Sequence, residues 1–271
     1  MALEQRDLSS MLETAIVAAR LAGQHAMEEI NYIKASIKNA TELVTQADAQ
    51  CQKIIIDRIK ENYPDHGFIA EEGVEGKLFK QPPRDKDKLW WVIDPIDGTN
   101  NFAHRMLFFT VSIGVMYEGK PIVGVIFEPA TDSMFTAVKN REAQLNGRRI
   151  TASEEAIDKF ASVGLESHFD DGAPNWACEL MKRTRFRNLG STALQVAYVA
   201  KGSMVATVAN TPKLWDIAGG AAIAEAAGAL FTNWQGQKIF PVDLDGYEGH
   251  KFQVITANKK VHPEIVKLLN H

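Results

Sequence analysis

The sequence predicts a mixed α/β fold in two halves: two helices on an antiparallel sheet, then strands alternating with helices. Three observations carry that expectation. Apolar residues recur at helical spacing in two stretches before Pro64. Short apolar runs between 109 and 151 are joined by turn residues, the pattern of a β-meander. From 162 onward, strand-like and helix-like stretches take turns.

Residues 7–31 place Leu8, Leu12, Ala15, Ile16, Ala19 and Ala22 on one helical face. Residues 34–40 read as a polar connection. Thr45 and Asp48 have the spacing of a capping box. A second helix then runs to about residue 63, with Ala47, Cys51, Ile54, Ile55 and Ile59 as its apolar set and Pro64 as its end. Phe68-Ile69-Ala70 reads as a strand running into Glu71-Glu72-Gly73. Residues 77–88 carry both signs of charge and Pro82-Pro83, and read as an exposed loop.

Trp90-Trp91-Val92-Ile93 is aromatic and β-branched, a buried strand. Asp94 should end it, because Pro95 removes a ladder donor and Asp97-Gly98 is turn chemistry. Strands at 109–117 and 122–127 follow, joined by Glu118-Gly119-Lys120-Pro121. Residues 133–138 come after a turn at 128–132, and Asn146-Gly147 turns the chain into 148–151.

In the second half, 162–165, 204–208, 230–233 and 252–257 read as strands, 185–188 as extended chain and 175–182 as helix. Another helix starts at Gly190-Ser191-Thr192 and runs to Lys201, with Gly202 as its left-handed stop. Trp215-Asp216 opens one that ends near Gly228. His262-Pro263 starts the last, with proline in the first turn.

The chemistry sits at the element ends. Asp94 and Asp97 stand at the mouth of a rigid strand, with Gly98 and Thr99 behind them. Glu71 repeats the design at another strand end. Hard oxygen ligands so placed suit Mg²⁺, and a metal there would attract a phosphate. Each piece alone also has a plain structural reading. Residues 94–98 can be an Asp-rich turn, Glu71-Glu72 a solvated acidic turn, and Ser191 and Asp216 simple N-caps. A helix starting at 190–192 could equally offer N–H groups to phosphate or polyol oxygens.

The whole chain narrows the classes. It has 271 residues, 45% hydrophobic and 24% charged, ample for a large core. A formal charge of −4 gives no footprint for direct nucleic-acid binding. The two cysteines, Cys51 and Cys178, make neither a disulfide framework nor a metal cluster, which points to a reducing cytosol. The first residues do not read as a signal peptide. The Ala- and Gly-rich tract 217–231, interrupted by Glu225, reads as a packed helix and not a membrane span.

Five motifs follow one another in the order and spacing of one family. They are Leu43-Val44-Thr45-Gln46-Ala47-Asp48, Ile69-Ala70-Glu71-Glu72, Trp91-Val92-Ile93-Asp94-Pro95-Ile96-Asp97-Gly98-Thr99-Asn100-Asn101-Phe102, Gly190-Ser191-Thr192-Ala193 and Trp215-Asp216-Ile217-Ala218-Gly219. The set resembles the inositol monophosphatase family of Mg²⁺-dependent, lithium-sensitive phosphatases, over nearly the whole chain.

The resemblance implies a layered α-β-α-β-α sandwich. It implies one catalytic unit over 1–271, with halves at 1–152 and 153–271 and the site between them. Glu71, Asp94 and the carbonyl of Ile96 would hold a first Mg²⁺, and Asp94, Asp97 and Asp216 a second. Glu71 with waters would hold a third, giving two to three ions per site. Asp48 and Thr99, with Glu71, would serve catalysis by orienting and deprotonating the attacking water. Ile96, Asp97, Gly98 and Thr99 would lie against phosphate; Arg187, Gly190, Ser191, Thr192 and Ala193 would lie against phosphate or polyol. The implied reaction is hydrolysis of a small polyol phosphate, inositol monophosphate foremost, by direct attack of a metal-activated water. A cytoplasmic homodimer is implied as well.

Two stretches depart from the family pattern. Inositol-preferring members carry a Glu seven residues before the Trp-Asp aspartate, where this chain has Ala209. Ala103-His104-Arg105-Met106-Leu107 lacks the usual Gly and Pro; His104 and Arg105 could bind a second anionic group or stand in a solvated loop. Ala209 keeps other substrates open: fructose 1,6-bisphosphate, histidinol phosphate or a 3′-phosphoadenosine nucleotide. A role of another class, as a binding partner of transcription or translation machinery, also stays open.

Overall fold

Two amphipathic helices open the chain. The computed structural model describes residues 5–33, 35–37, 43–84, 88–166, 169 and 172–270. α1 (Gln5–Glu29) buries a face of Leu8, Met11 and the alanines at 15, 18, 19, 22 and 26. Between it and the second helix, β1 (Ala35–Ile37) pairs antiparallel with β2 (Leu43–Thr45). Residues 35–37 are therefore strand and not the expected connection; Lys34 and 38–40 lie outside the described residues. α2 (Gln46–Lys60) packs along α1, and Cys51 Sγ donates to the Ala22 carbonyl across that contact at 3.3 Å.

An eight-stranded sheet lies under both helices. Its strands are β3 (Gly67–Ala70), β4 (Phe79–Gln81), β5 (Trp90–Asp97), β6 (Thr110–Tyr117), β7 (Lys120–Glu128), β8 (Ser133–Val138), β9 (Gln144–Leu145) and β10 (Arg148–Arg149). Their order is β10-β9-β8-β7-β6-β5-β3-β4. A short helix, α3 (Thr99–Ala103), separates β5 from β6.

Three expectations change here. β4 pairs with β3, so part of the stretch read as an exposed loop is a sheet edge; 85–87 lie outside the described residues. β3 and β5 run parallel, so the sheet is mixed and not antiparallel. β5 does not stop at Asp94. It passes through Pro95 to Asp97, which pairs with Thr110, and a register shift between Asp94 and Asp97 accommodates the missing proline donor.

The second sheet holds β11 (Ser162–Leu165), β12 (Arg185–Arg187), β13 (Ala206–Ala209), β14 (Leu230–Thr232) and β15 (Val254–Ala257) in the order β12-β11-β13-β15-β14. β11 is parallel to both β12 and β13, and β15 is antiparallel to its neighbours. The helices of this half are α4 (Asn175–Arg183), α5 (Thr192–Ala200), α6 (Leu214–Ala226) and α7 (His262–Leu269). α5 and α6 pack on each other between the two sheets, while α4 and α7 rest against β12 and β15. The layers thus run α-β-α-β-α, as the resemblance implied. The apolar tract 217–231 is α6 followed by the start of β14, and no helix among the described residues is long and apolar enough to cross a membrane.

α6 seats closely on the large sheet because glycines face it. A methyl group at Gly124 of β7 would come within 2.2 Å of the Gly219 carbonyl oxygen, and one at Gly114 of β6 within 2.8 Å of Ala218 Cβ. The Ser112 hydroxyl of β6 donates to the Trp215 carbonyl at 3.2 Å, which pins the first turn of α6 beside β5. A backbone clash of this kind cannot be relieved by turning a side chain. Gly124→Ala should therefore destabilise the protein by about 1–3 kcal/mol in denaturant unfolding. An unchanged midpoint would contradict the close seating of α6.

Candidate metal centre

Parallel pairing brings the first carboxylates together. Ala70 pairs with Ile93, and the Glu71 N–H donates to the Ile93 carbonyl at 3.3 Å. Glu71 and Asp94 therefore leave adjacent strands at the same edge. On the other side Asp94 pairs with Ser112, the residue that holds Trp215, so Asp216 arrives from α6. Carboxylate oxygens of Asp94, Asp97 and Asp216 all lie within 4.8 Å of one another. Asp94 and Asp97 are buried, and Asp216 is partly exposed. Glu71, also partly exposed, is not in that mutual group but stands close enough for its charge to act on all three. Asp94 Oδ1 accepts the Ile96 N–H at 3.0 Å, which fixes the backbone through Pro95.

Asp97 is held by the start of α5. Its carboxylate accepts from the Ser191 hydroxyl at 2.6 Å, the Ala193 N–H at 2.5 Å and the Thr192 N–H at 3.3 Å. The Ser191 oxygen in turn caps the helix by accepting the Leu194 N–H at 3.1 Å. The Gly190 N–H goes to Asn188 Oδ1 at 2.9 Å. The 190–193 donors expected to face phosphate are thus engaged by Asp97 and Asn188. Asp97 is the anion nearest the positive helix end and takes its free N–H groups. Gly98 has φ 104°, the left-handed region, and a methyl there would stand 3.0 Å from the Phe108 carbonyl.

Asp48 and Asp216 use one local device. Each is the third residue of its helix and reaches back to the N-cap: Asp48 Oδ2 accepts the Thr45 N–H at 2.9 Å, and Asp216 Oδ2 accepts the Lys213 N–H at 2.6 Å. Asp216 is therefore not itself the N-cap. Asp48 also accepts the Thr45 hydroxyl at 2.5 Å, and its other oxygen lies 3.1 Å from the Thr99 hydroxyl. That hydroxyl is 3.0 Å from the Ile96 carbonyl as well, so its one proton can serve Asp48 or Ile96 but not both at once.

Burial sets the electrostatics. Desolvation lifts the Asp48 and Asp97 carboxyls from 3.8 to about 6, and Asp216 to about 8. Donors to Asp97 hold it down, while the negative charges of Glu71 and its neighbours push the group upward. Asp94 is raised well above the ordinary carboxylate value by burial and then by Glu71, Asp97 and Asp216, and it shares a hydrogen bond with Asp216. A set of crowded, hard oxygen donors of one sign fits a divalent cation such as Mg²⁺.

The hydrogen bonds of the other sequence candidates go to backbone or ring partners outside the carboxylate group. Arg187 is exposed at the end of edge strand β12, with Nη1 on the Phe186 carbonyl at 2.9 Å. His104 and Arg105 are exposed just after α3, where His104 Nδ1 bonds the Asn100 carbonyl at 2.8 Å. Ala209 ends β13, buried, and its carbonyl accepts from Trp234 Nε1 at 3.2 Å. Sequence reasoning passed over Glu166. It follows β11, one strand across from Ala209, and accepts from the Asn210 N–H at 3.1 Å and the Thr211 hydroxyl at 3.2 Å. Burial raises its pKa. A carboxylate just past a strand end, the same signal that marked Asp94, could have found it.

Layered sandwich and crowded carboxylates together have the donor set that a divalent-cation site of the phosphate-handling kind requires. The chain belongs to the inositol monophosphatase family, whose model matches residues 7–271. It is 36% identical to the Nus factor SuhB of Vibrio cholerae over 239 residues, 83% of this chain and 86% of that one. It is 35% identical to the fructose-1,6-bisphosphatase/inositol-1-monophosphatase of Thermotoga maritima over 232 residues, 84% of this chain and 83% of that one. The solved structure of a Thermotoga maritima IMPase superposes with a TM-score of 0.83 at 31% identity, covering 96% of this chain and 97% of the other.

The raised carboxyls give a signed pH dependence. A folded-state pKa above the unfolded value contributes stability that is complete below the unfolded pKa and is lost as pH rises through the folded one. With Asp48 and Asp97 at about 6 and Asp216 at about 8, the chelator-treated protein should lose thermal stability as pH rises from about 5 to about 8. Added Mg²⁺ should raise the melting temperature most at the upper end of that range. A melting temperature that climbs across the window in chelator would contradict the crowded site.

Proposed function

We propose that the protein is a Mg²⁺-dependent phosphomonoesterase of small polyol phosphates, with inositol monophosphate as the leading substrate. One observation carries the reading: three carboxylates with oxygens within 4.8 Å of one another, beside a Thr99–Asp48 hydroxyl–carboxylate pair. Glu71, Asp94, Asp97, Asp216 and the Ile96 carbonyl are the donors that would hold two to three ions. Bound Mg²⁺ supplies charge neutralisation and Lewis-acid polarisation of the ester.

The chain's own residues do the rest. When the Thr99 hydroxyl donates to Asp48, its oxygen is left to accept from a water. As that water attacks phosphorus, its proton passes to Thr99 Oγ1 while the hydroxyl proton moves to Asp48. A carboxyl near 6 is ionised at neutral pH yet basic enough to take part. Gly98 and Thr99 offer backbone N–H groups to the phosphate. Ser191, Thr192 and Ala193 act on the site by holding Asp97, and Arg187 is the cation assigned to phosphate or polyol. The leaving alcohol departs without a phosphoenzyme. The reading also places the chain in a reducing cytosol, in keeping with free Cys51 and Cys178, and as a homodimer.

Ala209 keeps related phosphate esters in view as substrates, and the names of the SuhB relatives support a second reading, a binding partner of the transcription machinery. Growth of a strain lacking the gene separates the two, because Asp94→Asn should fail to rescue an enzymatic role and succeed for a binding role.

The direct test is phosphate release from a panel of small phosphomonoesters with Mg²⁺, chelator or Li⁺. Inositol monophosphate should be hydrolysed with Mg²⁺, and Li⁺ should inhibit. Thr99→Val should lower kcat by about 10²–10⁴-fold. Release that persists in chelator, or no release from any ester, would overturn the reading.

A further inference from the structure

β14 and β15 are antiparallel neighbours, which a tight turn could join. The chain instead leaves β14 at Thr232, crosses to the large sheet and returns to start β15 at Val254. On the way the Val242 N–H donates to the Gly119 carbonyl, in the turn between β6 and β7, at 2.9 Å. Further on, the Asp245 and Tyr247 carbonyls accept from Lys80 Nζ of β4 at 2.7 and 2.8 Å. The Phe252 N–H then goes to the Pro212 carbonyl, just ahead of α6, at 2.8 Å. This connection has no helix or strand of its own. Long connections of that kind are uncommon in compact domains unless they have a task.

Midway along it stands Tyr247, fully buried. Its ring meets Trp215 edge to face, with centroids 6.3 Å apart, and stacks on Phe252 at 6.2 Å. Its hydroxyl donates to the His250 carbonyl at 3.1 Å and accepts the Leu214 N–H at 2.9 Å. Leu214 is the first residue of α6, and an N–H at a helix start has no acceptor within the helix. The N–H before it, on Lys213, goes to Asp216. The Ser112 hydroxyl holds the same turn at the Trp215 carbonyl. Loss of the Tyr247 hydroxyl alone leaves a buried N–H, two residues from Asp216, without its acceptor. The turn must then shift to reach water or another oxygen, and the Asp216 carboxylate moves with it. Mg²⁺ demands near-ideal octahedral geometry, so such a shift is felt as lost affinity.

We propose that Tyr247 is a positioning residue of the cation site. By accepting the Leu214 N–H, its hydroxyl fixes the first turn of α6 and with it the Asp216 carboxylate. The inference rests on the Mg²⁺ reading of that site and assigns part of its affinity to a residue that touches no ion.

Calorimetric titration of Mg²⁺ into wild type, Tyr247→Phe and Ile265→Val tests it, each below its melting transition. Ile265 is buried under α7, in the outer layer, and controls for general loss of stability. Tyr247→Phe should raise the Kd for Mg²⁺ by about tenfold, the scale of a lost outer partner of a metal ligand. Ile265→Val should melt lower than wild type and keep its Kd. Equal Kd in wild type and Tyr247→Phe overturns the inference and leaves the Mg²⁺ reading standing. So does an equal loss in Ile265→Val, since stability alone would then explain the effect. If wild type binds no Mg²⁺, that reading fails and this one falls with it. Amide exchange on the Mg²⁺-free wild type, read residue by residue, needs no folded variant. The Leu214 N–H should be protected, and exchange at the rate of an exposed amide overturns the inference.

Discussion

When ionised, Asp94, Asp97 and Asp216 repel one another across less than 5 Å, with oxygens within 4.8 Å of each other and two of the three side chains buried. Such a cluster does not assemble by its own attraction. The chain forces it together with interactions gained elsewhere. β5 is buried along its whole length and carries Asp94 and Asp97 at its C-terminal end, in the interior of the large sheet. α6 is pressed onto β6 and β7 where glycines allow backbone to meet backbone, and this brings Asp216 to them. Core packing thus offsets a local electrostatic cost, and a bound cation would remove it.

Helix starts share the task. The N-terminal turns of α2, α5 and α6 all aim N–H groups at site carboxylates: Thr45 at Asp48, Thr192 and Ala193 at Asp97, Lys213 at Asp216. Each helix end carries partial positive charge, which lowers the cost of burying an anion beside it. Asp97 feels this most, since three donors from α5 and its cap hold it. The same donors orient it, so the rigidity of α5 becomes rigidity of the site. Asp48 is at once part of the cap and the partner of Thr99, which ties that hydroxyl–carboxylate pair to the fold of α2.

Much of this was legible in the sequence because it is local. Helical periodicity found α1 and α2, turn chemistry found the meander from β6 to β8, and strand-end carboxylates marked Glu71, Asp94 and Asp97. What stayed hidden depends on partners distant in the chain. Nothing near residues 67–70 says that they pair parallel with 90–93 rather than with the next strand. β4 lies in a charged, proline-flanked stretch whose composition suits a loop, and only β3 makes it a strand. Pro95 argued for a strand end, but a register shift let β5 continue. The amides at 192 and 193 looked available until the fold brought Asp97 to them.

The central claim is that these carboxylates are crowded for the sake of a divalent cation. Calorimetric titration of Mg²⁺ into the wild-type protein and Asp94→Asn, each with its melting temperature in chelator, tests it most directly. Wild type should bind Mg²⁺ saturably. Asp94→Asn relieves the repulsion, so it should melt no lower than wild type in chelator and yet lose Mg²⁺ binding. Equal Mg²⁺ binding by the two proteins, or none by wild type, would contradict the account.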